Sequence, residues 1–411
     1  TARWVVDATG RQALLRRQMK LTRGSNHTAS AGWFRIEGRF DINDMVPKTE
    51  KEWHGRPCTA QRWLSTNHFM GEGYWVWVIP LSTGNTSTGL VTQGGGPARR
   101  HVAGLGRALG FGRQHVPHLL AAIEKYPVKD FLCLANYSYA VGRAWSEDRW
   151  ALIGEAGAFA DPLFSPGTDF IAFANCFTVE MLRTDFASGD LKEKAMLMNV
   201  QYRSIQNASM RLFRTASAMA YKVFWNNFAY WSFTCQYFQQ DLCRADAAGQ
   251  ERIAHYGRRF LELMEYSEKL LTTWAKMAPE RPEPVFKNAP AFPSVLIDAH
   301  VATGKKMTFE ETLAYLELRL GQAHEIVGEL VLRIVQELGP ERGQELLDMV
   351  QFPHWGVQIP ASRLEIEAKK GLERRHTLPD IARDVERGLG PVRRHERAAE
   401  ARELLAHAAM P

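Results

Sequence analysis

The chain has 411 residues, of which 45% are hydrophobic and 23% charged, with a formal net charge of +6. That composition fits a folded protein with a large core and room for about two or three domains, and the small, interleaved charge excludes an electrostatic nucleic-acid binder. The cysteines are five (Cys58, Cys133, Cys176, Cys235, Cys243), an odd number with no C-x-x-C spacing, which excludes a disulfide framework. A reducing, cytoplasmic setting is therefore expected. The histidines do not gather at ligand spacings near cysteines, so no metal is expected either.

Ala2 to Gly10, ARWVVDATG, reads as an apolar strand ending in an acid and a polar turn. A dinucleotide fold would open earlier, with a strand, a G-x-G-x-x-G turn and a helix. Thr1 already falls in a later strand, so the chain is expected to be a fragment whose glycine-rich turn lies upstream. Gly104 to Gly110, GLGRALG, imitates that turn but follows no buried strand and has one residue too many before its last glycine.

Trp33 to Phe40 and Arg62 to Thr66 alternate as antiparallel strands do. In Gly73 to Leu81, GYWVWVIPL, Trp75, Trp77 and Ile79 occupy every second position and so share one face of a strand. A well-packed sheet surface and the wall of a substrate site are both open readings. Val102 to Leu109 and His115 to Lys125 look helical, with His115 and His118 as surface or capping residues, and Val128 to Arg143 looks like a strand pair.

Trp150 to Asn175, WALIGEAGAFADPLFSPGTDFIAFAN, is a strand, a loop and a helix. The strand stops at Gly154, and apolar positions recur at helical spacing from Asp169 through Phe170, Phe173, Phe177 and Leu182. The first turn of a helix presents unpaired N–H groups and the positive end of its dipole, which suits an anionic or electron-rich ligand over the loop. Pro162 and Pro166 stiffen the approach, and Gly167 lets the backbone come close to a flat ligand. Glu155, just beyond the strand, is set to accept hydrogen bonds from sugar hydroxyls.

After Phe186 the pattern is helical almost to the end. Val223 to Gln240 carries no formal charge, yet its Asn, Gln, Ser and Thr residues argue against a membrane span. Residues 191–278 are expected to form an aromatic-rich helical lid over an apolar substrate site, with plain helix core or a membrane-surface face as the alternatives. Pro279 to Pro293 is proline-rich, and a linker is expected over 279–306. Thr308 with Glu311 has capping-box spacing ahead of a periodic run to Leu338, opening a helical C-terminal extension, 307–411, that ends in mixed charges.

Gly154-Glu155, with Pro162 seven positions after the acid and Gly167 at the helix start, resembles the second FAD motif of the p-hydroxybenzoate-hydroxylase-like flavoproteins. Asp7, Ala8, Thr9, Gly10 and Arg11 are similar to the D-[AG]-[ST]-G segment of the same class. Trp75, Trp77, Ile79 and Pro80 fill the fixed places of W-x-W-x-I-P, the signature of flavin-dependent halogenases. The resemblance covers roughly residues 1 to 240. It implies an α/β, glutathione-reductase-type FAD-binding fold lacking its N-terminal βαβ, within residues 1–190, with FAD motifs at 3–11 and 150–183. An antiparallel substrate-side sheet over 30–145 and the helical extension complete that expectation.

By the same resemblance Asp7, Gly10, Gly154, Glu155, Pro162, Gly167, Thr168 and Asp169 bind FAD, while Trp75, Trp77, Pro80, Phe164 and Ser165 stand on the catalytic side. Family members use reduced FAD, supplied by a flavin reductase or NAD(P)H, and oxygen. A flavin peroxide then oxidises chloride or bromide, and a Lys, outside this chain, guides the halogen to an aromatic ring. The chain departs from the pattern in three places. Glu155 stands for the usual Asp. Phe164 replaces the Glu of tryptophan-type members, which looks more like members acting on phenols or pyrroles, some of them carrier-bound. Ser165-Pro166-Gly167 replaces S-[ST]-G at the halide loop. Proline has no N–H, and losing one of two donors to a small anion costs about 1 to 3 kcal/mol, roughly tenfold to a hundredfold in affinity. The sequence is compatible with a halogenase-like monooxygenase, with a hydroxylase or dehydrogenase of the same fold that has no halide site, and with a helical scaffold retaining a dead flavin fold.

Overall fold

The structure is a computed structural model and describes all residues except 26, 56–60, 72, 95, 213–218, 241, 278–292, 352–377 and 390–411. It divides into two compact units, Thr1–Ala216 and Ser217–Pro411.

The first unit carries strands β1 (Val5–Asp7), β2 (Thr22–Gly24), β3 (Ala29–Ile36), β4 (Asn67–Gly71), β5 (Tyr74–Pro80), β6 (Thr86–Gln93), β7 (Val128–Leu134), β8 (Tyr139–Val141), β9 (Trp145–Ser146) and β10 (Trp150–Leu152). Its helices are α1 (Leu14–Gln18), α2 (Lys51–Gly55), α3 (Gly96–Val102), α4 (Leu105–His115), α5 (Pro117–Ile123), α6 (Pro166–Phe186) and α7 (Leu191–Leu212). Five strands form an antiparallel sheet in the order β4-β5-β6-β3-β7. Period-two alternation decides its two faces. Phe34, Ile36, Val76, Val78 and Leu90 point to a buried core that α3, α4 and α5 close with Val102, Leu119, Leu120 and Ile123. Trp75 and Trp77 point to the other face.

A second sheet has the order β1-β10-β9. β1 runs parallel to β10 with Val5 opposite Trp150 and Asp7 opposite Leu152, while β9 is antiparallel. Helices α6 and α7 cover it through Trp145, whose ring meets Phe177 at 5.3 Å and Tyr202 at 5.0 Å and whose Nε1 donates to Thr178 Oγ1 at 2.9 Å. Asn199 of α7 closes the same joint, accepting from Ala144 N at 2.6 Å and donating to Trp145 O at 2.8 Å. Arg3, Trp4 and Arg149 all bond Asp185 near the end of α6.

Several expectations change. Arg62 to Thr66, expected as a strand, begins with a 3-10 turn, Arg62–Leu64, because the Asn67 amide folds back onto Arg62 O and Ser65 O. The glycines of 104 to 110 cap and fill α4 and form no phosphate turn. Helix α6 starts at Pro166, one residue before the Gly167 expected at its mouth, since Pro166 at its first position has the helical φ already fixed.

The second unit is helical: α8 (Met219–Ala229), α9 (Cys235–Gln239), α10 (Ala247–Met277), α11 (Ser294–Thr303), α12 (Phe309–Leu338), α13 (Pro340–Val350) and α14 (Leu378–Leu389). A π-helical turn, Tyr230–Thr234, joins α8 to α9. The expected capping box is present: Thr308 accepts from Glu311 N while the Glu311 carboxylate accepts from Thr308 N at 2.7 Å. The boundary between units falls inside 191–278, so α7 belongs with the first. The linker expected over 279–306 lies outside the described residues up to 292, and from Ser294 the chain is helical. No helix among the described residues is long and apolar enough to cross a membrane.

Candidate functional site

The parallel pairing of β1 and β10 brings two turns that are far apart in sequence side by side. Ile153 N donates to Asp7 O at 3.0 Å, and just past that bond each strand breaks at a glycine with a left-handed backbone, Gly10 at φ 61° and Gly154 at φ 54°. Gly154 also faces α6: a β-carbon there would lie 3.3 Å from Ile171 Cγ1. Asp7, Gly10, Gly154, Glu155 and the start of α6 are thus gathered at one end of this sheet.

Asp7 holds the turn that follows β1. Its carboxylate is buried and accepts from Thr9 N at 3.0 Å, Thr9 Oγ1 at 2.6 Å and Leu15 N at 2.8 Å. Burial pushes its pKa up, but those three bonds and the charge of Arg16 outweigh it and hold the carboxyl below its ordinary value. Both oxygens accept from the turn that follows β1, so Asp7 fixes the shape of that turn. Glu155 is the reverse case, with its side chain 39% exposed, Arg11 3.8 Å away and its backbone oxygen taken by the Tyr139 hydroxyl at 2.5 Å.

Arg11, the last residue of the expected motif, and Arg16, which no spacing singled out, both approach Tyr139. Arg16 is buried with Cζ 3.8 Å from the Tyr139 ring centroid, and Arg11 lies over the same ring at 5.2 Å. Arg16 Nε and Nη1 and Arg11 Nη1 are buried without a hydrogen-bond partner. Burial raises the Tyr139 pKa against the opposing pull of both arginines.

The loop into α6 is held by Asp161, whose Oδ1 accepts from Leu163 N at 3.0 Å as the cap of the turn Pro162–Phe164. Its Oδ2 accepts from the Tyr137 hydroxyl at 2.6 Å and meets His27 Nε2 at 2.7 Å. Burial, followed by the Asp161 charge, pushes the Tyr137 phenol far above its ordinary value. The Asp-Pro pair at 161 and 162 was a readable cap signal; nothing local links it to residues 27 and 137.

Phe164 ends the turn, and its side chain lies outside those described. Ser165 is exposed and left-handed at φ 54°, ψ 36°, which aims the chain into α6. Pro166 is buried. A β-carbon on Gly167 would meet no atom within 4 Å. By helix geometry the amides of Gly167 and Thr168 have no intrahelical partner. Thr168 Oγ1 donates to Ser165 O at 3.2 Å, and burial raises the pKa of half-buried Asp169.

Trp75, Trp77 and Pro80 stand on β5 of the five-stranded sheet. The two rings lie 5.6 Å apart, and Trp33 extends the aromatic face to Trp77 at 6.4 Å. Gly89 makes room: a β-carbon on it would fall 2.1 Å from Trp77 Cζ2. Trp77 Nε1 donates to Ser87 Oγ at 3.1 Å, whereas the buried Trp75 Nε1 has no partner. Among the described residues no group of three or more His, Cys, Asp or Glu could hold a metal ion.

No protein-family model matches the chain. It is 23% identical over 249 residues to the flavin-dependent halogenase chlA of Dictyostelium discoideum, covering 56% of this chain and 40% of that protein. It is 30% identical over 199 residues to the 1H-pyrrole-2-carbonyl-[peptidyl-carrier protein] chlorinase of Pseudomonas fluorescens, covering 47% of this chain and 38% of the other. The chain therefore spans less than half the length of these curated relatives. Among solved structures, a mutant of halogenase PltM in complex with FAD matches with a TM-score of 0.50 at 12% identity, over 93% of this chain and 66% of that one. At that identity the likeness shows the fold alone. The chain resembles flavin-dependent halogenases, which are enzymes, in sequence and in fold.

Proposed function

We propose that this chain carries the flavin-facing part of an FAD-dependent oxidoreductase of the halogenase type, acting on a phenol- or pyrrole-like aromatic substrate. The observation that carries the reading is the meeting of the Gly10 and Gly154 turns at the end of the β1–β10 pair, beside the start of α6. The residues fit FAD. Open space at Gly167 admits a flat ring, and exposed Glu155, 3.8 Å from Arg11, is available to ribityl hydroxyls.

Bound FAD would supply oxygen activation. The amides of Gly167 and Thr168 would hold its ring, where the helix dipole favours negative charge. Ser165 would border the substrate. Trp75 and Trp77 offer a large apolar surface of the kind that excludes water. The pyrrole-carrier chlorinase among the relatives supports a carrier-bound substrate, and a separate flavin reductase is the proposed electron source.

A second reading, hydroxylation or dehydrogenation without halide, is favoured by Pro166, which removes one amide from the loop. The test is flavin titration of the protein as encoded in full, followed by product analysis with reduced flavin, oxygen and a phenol or pyrrole-2-carboxylate donor, with and without bromide. Brominated product supports the first reading, and the same oxygenated or dehydrogenated product in both arms supports the second. Absence of flavin binding and of product overturns both.

A further inference from the structure

Asp161 has more partners than a helix cap requires. Capping the Pro162–Phe164 turn uses only Oδ1 and the Leu163 amide, yet Oδ2 also takes Tyr137 Oη and faces His27 Nε2. All three residues are almost fully buried, Asp161 to 1% exposure and Tyr137 likewise, and His27 to 6%. A buried carboxylate is tolerated only when paired and hydrogen-bonded, and Tyr137, His27 and the Leu163 amide supply those partners here. The three residues also come from different places in the fold. His27 lies two residues before β3, Tyr137 lies between β7 and β8, and Asp161 begins the loop into α6. Tyr137 N donates to Ala29 O at 3.1 Å, and Asn136 N to Ser30 Oγ at 3.1 Å, so both partners of Asp161 are tied to the first residues of β3.

We propose that His27 and Tyr137 are positioning residues that act through Asp161. They fix the 161–165 loop, and with it the Gly167 and Thr168 amides, to the sheet carrying the Trp75 and Trp77 face. The assignment rests on the flavin reading for its ligand, but the clamp itself is a property of this chain. His27 Nε2 and Tyr137 Oη set where the loop sits; Ser165, turned left-handed, passes that position to α6.

The clamp and the flavin reading are tested separately. In the full chain, His27→Leu and Tyr137→Phe remove one bond each, while His27→Gln offers an amide N–H in place of Nε2. Amide hydrogen exchange without flavin is expected to speed about tenfold over 162–169 in His27→Leu and Tyr137→Phe, with β3, β6 and β10 unchanged, and to return to within about threefold of wild type in His27→Gln. Flavin-fluorescence titration is expected to show about tenfold weaker FAD binding in the first two variants and recovery in the third. Uniform loosening of the unit, or unchanged exchange over 162–169, overturns the clamp. Wild-type protein that binds no FAD overturns the flavin reading and leaves the exchange result to decide the clamp. FAD affinity equal to wild type in all variants, alongside locally faster exchange, overturns the role toward the ligand.

Discussion

Gly167→Ala separates a ligand-facing helix mouth from an ordinary helix start, because only the first predicts a loss of FAD affinity. Gly167 is the second residue of α6, its φ is not left-handed, and a β-carbon there meets no protein atom within 4 Å. Alanine therefore fits the folded chain and restricts the unfolded one, a gain of about 0.5 kcal/mol. The same β-carbon would stand in the space proposed for the flavin ring. Overpacking of a close contact costs about 1 to 3 kcal/mol, which is roughly a 5- to 150-fold rise in Kd. Thermal melts of the ligand-free protein and a flavin-fluorescence titration read the two effects. A melting temperature at or above wild type with FAD affinity lost by those factors is the expected pair of results. Unchanged FAD affinity in a stable variant would refute a ring seated over Gly167, and the site would have to be sought elsewhere.

Gly10→Ala is expected to destabilise by about 1 to 2 kcal/mol through its left-handed φ of 61° despite open space around it, measurable by urea melts. Gly89→Ala drives a methyl into the Trp77 ring and is expected to cost about 1 to 3 kcal/mol, with a shifted tryptophan emission; a spectrum and stability equal to wild type would contradict the close approach. In the second unit, Thr308→Ala removes the capping box of α12 and is expected to cost about 1 kcal/mol, read as lower helicity and melting temperature by circular dichroism. Hydrogen bonds from Arg3, then Arg149 and Trp4, hold the Asp185 carboxyl far below the usual carboxylate range. Because its folded pKa is depressed, its stabilisation is complete above the unfolded value and is lost as pH falls from about 4 toward the folded value. Melts of wild type and Asp185→Asn should therefore converge on acidification over that range and stay apart above it.

The parts of the site that depend on local dihedrals were legible in the amino-acid sequence alone. Proline at 166 and glycines at 10, 154 and 167 restrict or free the backbone residue by residue, so strand ends and a helix mouth follow from their order. Alternation likewise put Trp75 and Trp77 on one face, because a pleated strand turns its side chains with period two whatever surrounds it. Apolar periodicity begins only at Asp169, so Pro166 and Gly167, not the periodicity, marked the helix mouth.

Only the tertiary structure decided where the polar atoms of these segments go. The Asp7 carboxylate turns back on Thr9 and Leu15. Arg16 carries no spacing signal and becomes notable solely because β1 and β8 bury it against Tyr139. Residues 27, 137 and 161 share no pattern in the chain, and their contact exists because the β3–β7 pairing and the approach to α6 meet at one point. Hydrogen bonds act over about 3 Å and are blind to sequence distance. The sequence thus determined which backbone shapes were available, and the packing of two sheets determined which donors and acceptors were brought within reach of one another.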